Sequence, residues 1–310
     1  MTRRILLVAH PTRPEVVDIA RGVVKQLRAA DVEVALAPDE ARMFGAIDIG
    51  PVVEADPDDP TEGCELVVVL GGDGTILRGA EHSRGTGVPL LGVNLGHVGF
   101  LAEAEREDAT ATVDHIVSRA YQVEERMTLA VTVHQEGAKP YPCWALNEVS
   151  VEKAARERML EVAVEIDGKP LSAFGCDGIV VSTPTGSTAY AFSLGGPVIW
   201  PDVEAILMVP NAAHALFSRP IVVSPTSRLA VEVIPQAEGH GIMWCDGRRQ
   251  LELRPGARIE VTRSDVPVRL ARLNASPFTD RLVAKFGLPV HGWRGRALRS
   301  ADVSSVVAHD

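Results

Sequence analysis

The chain has 310 residues, 46% hydrophobic and 23% charged, with 31 basic and 41 acidic side chains and a net charge of −10. This length accommodates two domains and a large core. The diffuse acidic balance argues against a general nucleic-acid or anionic-membrane binder, while leaving room for a local basic pocket that takes a phosphorylated ligand.

Residues 4–9 form an apolar run that stops at His10-Pro11. The run is too short for a signal core and reads as a buried parallel strand. Val16, Ile19, Ala20, Val23, Val24 and Leu27 follow at helical spacing, and residues 32–37 read as a second strand. The chain therefore opens as βαβ, the start of a doubly wound sheet. Residues 38–63 hold five Asp, three Glu and four Pro with little periodicity. They read as a surface loop or poorly ordered arm, with a short helix near 41–44. Further strands are expected at 66–70 and 89–94, and helices at 75–84 and 108–118. Beyond residue 121 the period changes to two: residues 129–134, 160–166, 229–234, 251–253 and 259–262 alternate, separated by turn signals such as Asp167-Gly168, Asp246-Gly247 and Pro255-Gly256. That pattern predicts a β-rich second domain with sheets packed face to face. A short helix is expected within 280–286 and a poorly ordered tail over 296–310.

No segment approaches the roughly 20 apolar residues of a membrane span. Cys64, Cys143, Cys176 and Cys245 show no CxxC spacing and no histidine cluster accompanies them, which reads as free thiols in a cytoplasmic protein. His10, His97 and His214 lack metal spacing and read as structural, so no protein-borne metal site is expected.

Gly71-Gly72-Asp73-Gly74-Thr75 follows an apolar strand and opens a helix. Successive backbone N–H groups at a helix N-terminus attract phosphate oxygens, and glycines let those oxygens approach closely. A carboxylate in the same loop would repel phosphate. Asp73 must then serve another purpose, either accepting a proton from a hydroxyl nucleophile or contacting Mg²⁺. The plainer alternative is a tight turn with an Asp cap. Arg78, one turn into the helix, either contacts phosphate or is a solvated helix arginine. Ser182, Thr183, Thr185, Ser187 and Thr188 crowd hydroxyls where a strand ends. Such a loop can satisfy ribose hydroxyls, a base edge or phosphates, or it is simply a polar surface turn. Asn147-Glu148 pairs an amide able to read a base with a carboxylate able to chelate a diol, or it is a solvated strand start. Arg158 is equally open. The chain contains no GxxxxGK[ST], no GxGxxG and no protein-kinase motif.

Taken together, the motifs resemble the NAD kinase family over residues 4–293, in a bacterial form. The resemblance is carried by GGDGT at 71–75, Asn147-Glu148, Asp177-Gly178 and TPTGSTAY at 183–190, with Gly92, Gly96, Gly99 and Gly195-Gly196-Pro197 in the flanks. It implies an α/β amino-terminal domain with a Rossmann-like parallel sheet (1–125), an all-β sandwich-like domain that binds NAD and oligomerises (126–274), and a segment at 275–295 packing back on the first domain. The implied reaction phosphorylates the 2′-hydroxyl of the adenosine ribose of NAD to give NADP, with Asp73 as proton acceptor. The implied donor is ATP with a divalent metal, Mg²⁺, carried by the nucleotide; some members use inorganic polyphosphate. Gly71, Gly72, Gly74 and Thr75 would face the donor phosphates. Asp73, Gly74, Arg78, Asn147, Glu148, Arg158, Asp177 and the run Thr188, Ala189, Tyr190, Ala191, Phe192, Ser193 would bind substrate.

Members of the family are homodimers or homotetramers, which would let Asp177 serve a neighbouring subunit's site. One departure is visible: some members carry a glutamine-bearing loop after the position of Cys245-Asp246, where this chain has Gly247 followed by Arg248-Arg249. GGDG also occurs in lipid and sugar kinases, so another acceptor is one rival reading. A non-catalytic NAD(P) sensor is the second, and an intact Asp73 counts against it.

Overall fold

The computed structural model describes residues 3–11, 14–95, 99–102, 109–156, 158–235, 239–273 and 277–290. Gly96, His97 and the tail at 296–310 lie outside them.

The first unit runs β1 (Arg3–Ala9), α1 (Pro14–Ala29), β2 (Val32–Leu36), α2 (Pro38–Phe44), β3 (Val53–Glu54), β4 (Leu66–Leu70), α3 (Asp73–Ser83), β5 (Leu90–Val93), α4 (Ala109–Ser118) and β6 (Gln122–Arg126). The second runs β7 (Leu129–His134), β8 (Tyr141–Ala145), β9 (Glu148–Lys153), β10 (Leu160–Ile166), β11 (Lys169–Cys176), β12 (Gly178–Ser182), α5 (Tyr190–Ser193), β13 (Ile206–Asn211), β14 (Ile221–Val223), β15 (Leu229–Val233), β16 (Gly241–Cys245), β17 (Arg249–Leu253) and β18 (Arg258–Arg263). Then β19 (Val268–Arg272) and α6 (Phe278–Phe286) follow.

The first sheet has the order β3-β2-β1-β4-β5-β19-β6, parallel except for β6. Every residue of β4 is buried, as a central strand covered on both faces must be. One face packs on α1 and α4 through Val16, Ala20, Val24, Leu27, Val113 and Ile116. The other packs on α3 through Ile76, Leu77 and Ala80. Chain order reverses between β1 and β4, and in such sheets ligands bind in the crevice at the carboxyl ends of the strands flanking that point.

The second unit consists of two six-stranded antiparallel sheets, β11-β10-β15-β18-β7-β8 and β14-β13-β12-β9-β16-β17. The inner positions of their period-two strands, Val131, Val133, Val151, Val162, Val181, Val231 and Ile259 among them, form one core. All four cysteines are free thiols. No helix among the described residues is long and apolar enough to cross a membrane.

Two expectations need correction. Residues 38–63 are more than a surface arm: α2 begins at Pro38, β3 extends the parallel sheet, and Phe44, Ile49 and Ala55 are buried. The apolar residues there are too widely spaced among Asp and Pro to show a period. The return to the first domain also starts before residue 275. Strand β19 is inserted in the first sheet between β5 and β6, because Val268, Leu270 and Ala271 complete the core on its two faces.

Candidate active site

The turn after β4 sits at the reversal point of the first sheet. The Gly71 N–H donates to Val93 O at 3.0 Å, and α3 starts at Asp73 with Gly72 as its N-cap. A Cβ on Gly71 would lie 2.4 Å from Thr75 Oγ1, so this glycine is demanded by the fold. At Gly72 and Gly74 an added Cβ would meet nothing within 4 Å. Those two border open space, a cavity of about 660 Å³ lined also by His10, Thr75, Arg78, Asn94, Gly247 and Arg248. His10, read as structural from the sequence, stands on this wall.

Asp73 points elsewhere. Its Oδ2 accepts from Phe100 N–H and its Oδ1 from Leu101 N–H, each at 3.3 Å. A Cβ on Gly99 would fall 2.5 Å from Asp73 Oδ1, so the carboxylate occupies the space that a side chain there would take.

Arg78 is fixed by an interaction no local pattern discloses. Its Nε lies 2.9 Å from Glu40 Oε1 on α2, and Glu40 is fully buried. With its side chain 15% exposed, Arg78 is not a solvated helix arginine. It reaches the cavity wall from an anchored position.

Asn147 immediately precedes β9 and Glu148 opens it; both are buried. Asp246, in the β16–β17 turn, accepts from Leu146, Asn147 and Glu148 N–H at 2.9, 2.7 and 3.3 Å, and pairs with Arg249 at 2.7 Å. Burial, followed by the charge of Asp246, pushes the Glu148 carboxyl up from 4.5 to about 8, and its Oε2 has no hydrogen-bond partner among the described residues. Between those two values the folded protein holds a proton that the unfolded chain has released, so stability falls as pH rises through this window. Glu148→Gln is expected to flatten that dependence, its thermal midpoint dropping less than that of the parent between about pH 5 and about pH 8. Equal slopes in the two proteins would show that Glu148 ionises normally.

The hydroxyl-rich run needs a further correction. Ser182, Thr183 and Ser187 are completely buried and hold the loop itself. Thr183 Oγ1 donates to Leu146 O at 2.6 Å and accepts from Gly186 N–H at 3.0 Å; Ser187 Oγ donates to Pro184 O at 2.7 Å and accepts from Ile199 N–H at 2.9 Å. Only from Thr188 onward does the run turn toward solvent, with Thr188, Ala189 and Tyr190 half-buried, Ala191 packed inward, and Phe192 and Ser193 exposed.

Asp177 and Arg158 are not brought to this cluster. In the β9–β12 pair, Ser182 opposes Glu148 while Gly178 opposes Glu152, which sets Asp177 about five residues, or roughly 17 Å, from Glu148 along the strands. There Asp177 pairs with Lys153 at 2.5 Å. Arg158 is exposed just ahead of β10, whose first residue opposes Cys176, at the same far end.

Gly247 turns with φ 63°. The following arginines tie the second unit to α3: Arg248 makes two hydrogen bonds to Glu81 at 3.0 Å, and Arg249 and Arg84 lie over the Trp144 ring at 4.3 and 4.5 Å.

Residues that show no local motif complete the junction. Glu124 pairs with Arg126 at 2.9 Å and Arg272 at 2.8 Å, and Arg126 Nη1 reaches Thr185 Oγ1 at 3.5 Å. Burial, and then the charge of Arg272, bring the Arg126 guanidinium down to about 10. Phe286 of α6 packs on both Phe100 and Phe192, at 5.9 and 4.7 Å between centroids. The Asp73 carboxylate is bonded to the peptides of residues 100 and 101, and the Phe100 ring is joined through Phe286 to Phe192, whereas Gly71, Gly72, Gly74 and Thr75 line the cavity. Among the described residues no group of three or more His, Cys, Asp or Glu is placed to hold a metal ion.

Comparison with known proteins gives this geometry a family. The ATP-NAD kinase N-terminal domain profile matches residues 5–121, and the ATP-NAD kinase C-terminal domain profile matches residues 146–273. The NAD kinase 2 of Streptomyces coelicolor is 60% identical over 296 residues, covering 94% of this chain and 97% of that one. The NAD kinase of Mycobacterium tuberculosis is 54% identical over 308 residues, covering 95% and 99%. Among solved structures, an NAD kinase from Archaeoglobus fulgidus in complex with ATP superposes with a TM-score of 0.68 at 26% identity, covering 92% and 97%. Yeast NADH kinase complexed with NADH shares the fold, with a TM-score of 0.84 at 23% identity and coverage of 94% and 89%. With both domain profiles matched in order and close relatives aligned over nearly the whole length, the chain belongs to the NAD kinase family of phosphotransferases.

Proposed function

We propose that this protein transfers a phosphoryl group from ATP to the 2′-hydroxyl of the adenosine ribose of NAD, giving NADP, with Asp73 accepting the hydroxyl proton. Inorganic polyphosphate is a second candidate donor. The observation that carries the reading is the division of one five-residue turn. Gly72 and Gly74 border a cavity of about 660 Å³, while the Asp73 carboxylate between them is turned to the Phe100 and Leu101 amides.

In this reading the N-terminus of α3 and Arg78 meet donor phosphates, and Arg248 stands at the same wall where Gly247 offers no side chain. Thr75 and Asn94 are among the residues lining that wall, a sparse neutral set that suits a hard cation carried largely by phosphate oxygens and water. Mg²⁺ brought by the nucleotide would neutralise charge on the phosphoryl oxygens. Asn147, Glu148 and the segment 188–193 hold the dinucleotide. Asp73 need not fully deprotonate the ribose hydroxyl; in a loose transition state it orients the nucleophile and takes the proton late.

Asp177 and Arg158, at the far end of β9–β12, suit a neighbouring subunit's site in a homodimer or homotetramer. The strongly exposed Leu216 and Phe217 suit such an assembly. A cytoplasmic location accords with the free thiols.

The deciding experiment incubates the protein with NAD, ATP and Mg²⁺ and measures NADP, with diacylglycerol and fructose 6-phosphate as competing acceptors. NADP formation with neither competitor phosphorylated is expected. No NADP with any donor or metal would leave a binding protein, and phosphorylation of a competitor instead would reassign the acceptor.

A further inference from the structure

The loop at residues 99–102 carries the carboxylate of Asp73, and two distant arginines carry the loop. Phe100 O accepts from Arg281 Nη1 at 3.0 Å, Leu101 O from Arg272 Nη1 at 3.3 Å, and Ala102 O from Arg281 Nη1 at 3.3 Å. On the opposite edge, Phe100 and Leu101 N–H donate to Asp73. One peptide unit is bonded at both ends: its carbonyl, from Phe100, accepts from Arg281, and its N–H, from Leu101, donates to Asp73.

The geometry points to Arg281 and Arg272 as positioning residues for Asp73, acting through the peptide groups of residues 100–102. The inference rests on the reading of Asp73 as proton acceptor.

The segment belongs to no helix or strand, so these guanidinium bonds stand where ladder bonds would otherwise hold its carbonyls. A peptide polarised by a cation at its oxygen is a stronger donor at its nitrogen, because serial hydrogen bonds reinforce one another in a poorly solvated site. The charge behind the loop is also set: Arg272 is 8% exposed and bound to Glu124, which Arg126 shares. Arg281 lies on α6, whose Phe278 and Phe286 pack on Phe100. The C-terminal helix therefore fixes the loop through its ring contacts and its guanidinium together. Loss of Arg281 lets the peptides rotate, and a displacement of about 1 Å at a reacting group can cost on the order of 10²-fold in rate.

The test is a cycle of variants assayed with NAD and ATP–Mg²⁺, each checked for its thermal midpoint. Arg281→Met is expected to lower kcat by about 10-fold to about 10²-fold with the KM for NAD within about 2-fold of the parent. Arg281→Lys, which keeps a cationic donor for the carbonyls, is expected to recover most of that loss. In an Asp73→Asn background, Arg281→Met is expected to have little further effect, since the two act as one unit. An unchanged kcat, a loss confined to KM, or a full additional loss in the Asp73→Asn background would each overturn the proposal. Should the methionine variant unfold, Arg281→Lys and Arg272→Lys carry the same cycle with smaller losses of the same pattern. Failure of the underlying reading looks different: Asp73→Asn would itself turn over at the parent rate.

Discussion

Asp73→Asn is expected to lower kcat at least about 10²-fold while NAD still binds. General-base assistance to a poor hydroxyl nucleophile is worth about 10²- to 10⁴-fold, and an amide cannot accept the proton. The substitution preserves size. It also exchanges one acceptor oxygen for an NH₂ group facing the Phe100 and Leu101 amides, so one of two bonds is lost in the resting state as well. The turnover measurement should therefore be paired with calorimetric NAD binding and a melting curve. Retained affinity and a near-parental melting temperature with collapsed kcat locate the defect in the chemical step. Near-parental turnover would remove Asp73 from the reaction.

Gly186→Ala is expected to be severely destabilising although it adds one methyl group. A Cβ there would stand 2.1 Å from Asn147 O, 2.4 Å from Asn147 C and 2.6 Å from Ser182 Oγ. Two of these are backbone atoms at the start of β9, where Thr183 N–H also donates to Asn147 O, so no rotamer change relieves the clash. Overpacking of this kind costs about 1–3 kcal/mol or more, and each kcal/mol lowers the melting temperature by about 2 °C in a chain of this length. Activity should fall with it, because Asn147 must move. Gly74→Ala is the control: its Cβ meets nothing within 4 Å, so stability should stay within about 0.5 kcal/mol. A raised KM for the phosphoryl donor in that variant would show that the space is reserved for ligand. A melting curve for Gly186→Ala that overlays the parent's would mean that the loop is not packed on Asn147 as described.

Local signals explain why much of the fold was legible. Residues 66–70 are uniformly apolar because a central parallel strand is buried on both faces, and the period-two segments at 129–134 and 259–262 mark strands with one face in the sandwich core. The glycine turn was legible for the same reason: strand, Gly-rich turn and helix are contiguous, and a backbone packed as closely as Gly71 is on Thr75 shows itself as glycine. Hydroxyl groups carry no such direction. Ser182, Thr183 and Ser187 look like ligand groups in a string of letters and turn out to hold their own loop, while the exposed part of the run starts at Thr188.

Local pattern and motif were enough for the class of fold, the change from α/β to β near residue 121, the family, and the Gly-rich turn after β4. Which partner each charged group meets emerges only once the chain is folded. Arg78 answers to Glu40 in a stretch that shows no period, Asp246 organises residues 146–148 from a hairpin, and Asp177 is carried along β12 away from Glu148. The loop under Asp73 is held from 171 and 181 residues away by Arg272 and Arg281. Periodicity records which face of an element is buried, a property of neighbours three or four residues apart. The partner of a guanidinium depends on which strands the sheet places side by side, as with β19 between β5 and β6, and that order is fixed only when distant segments close on a common core.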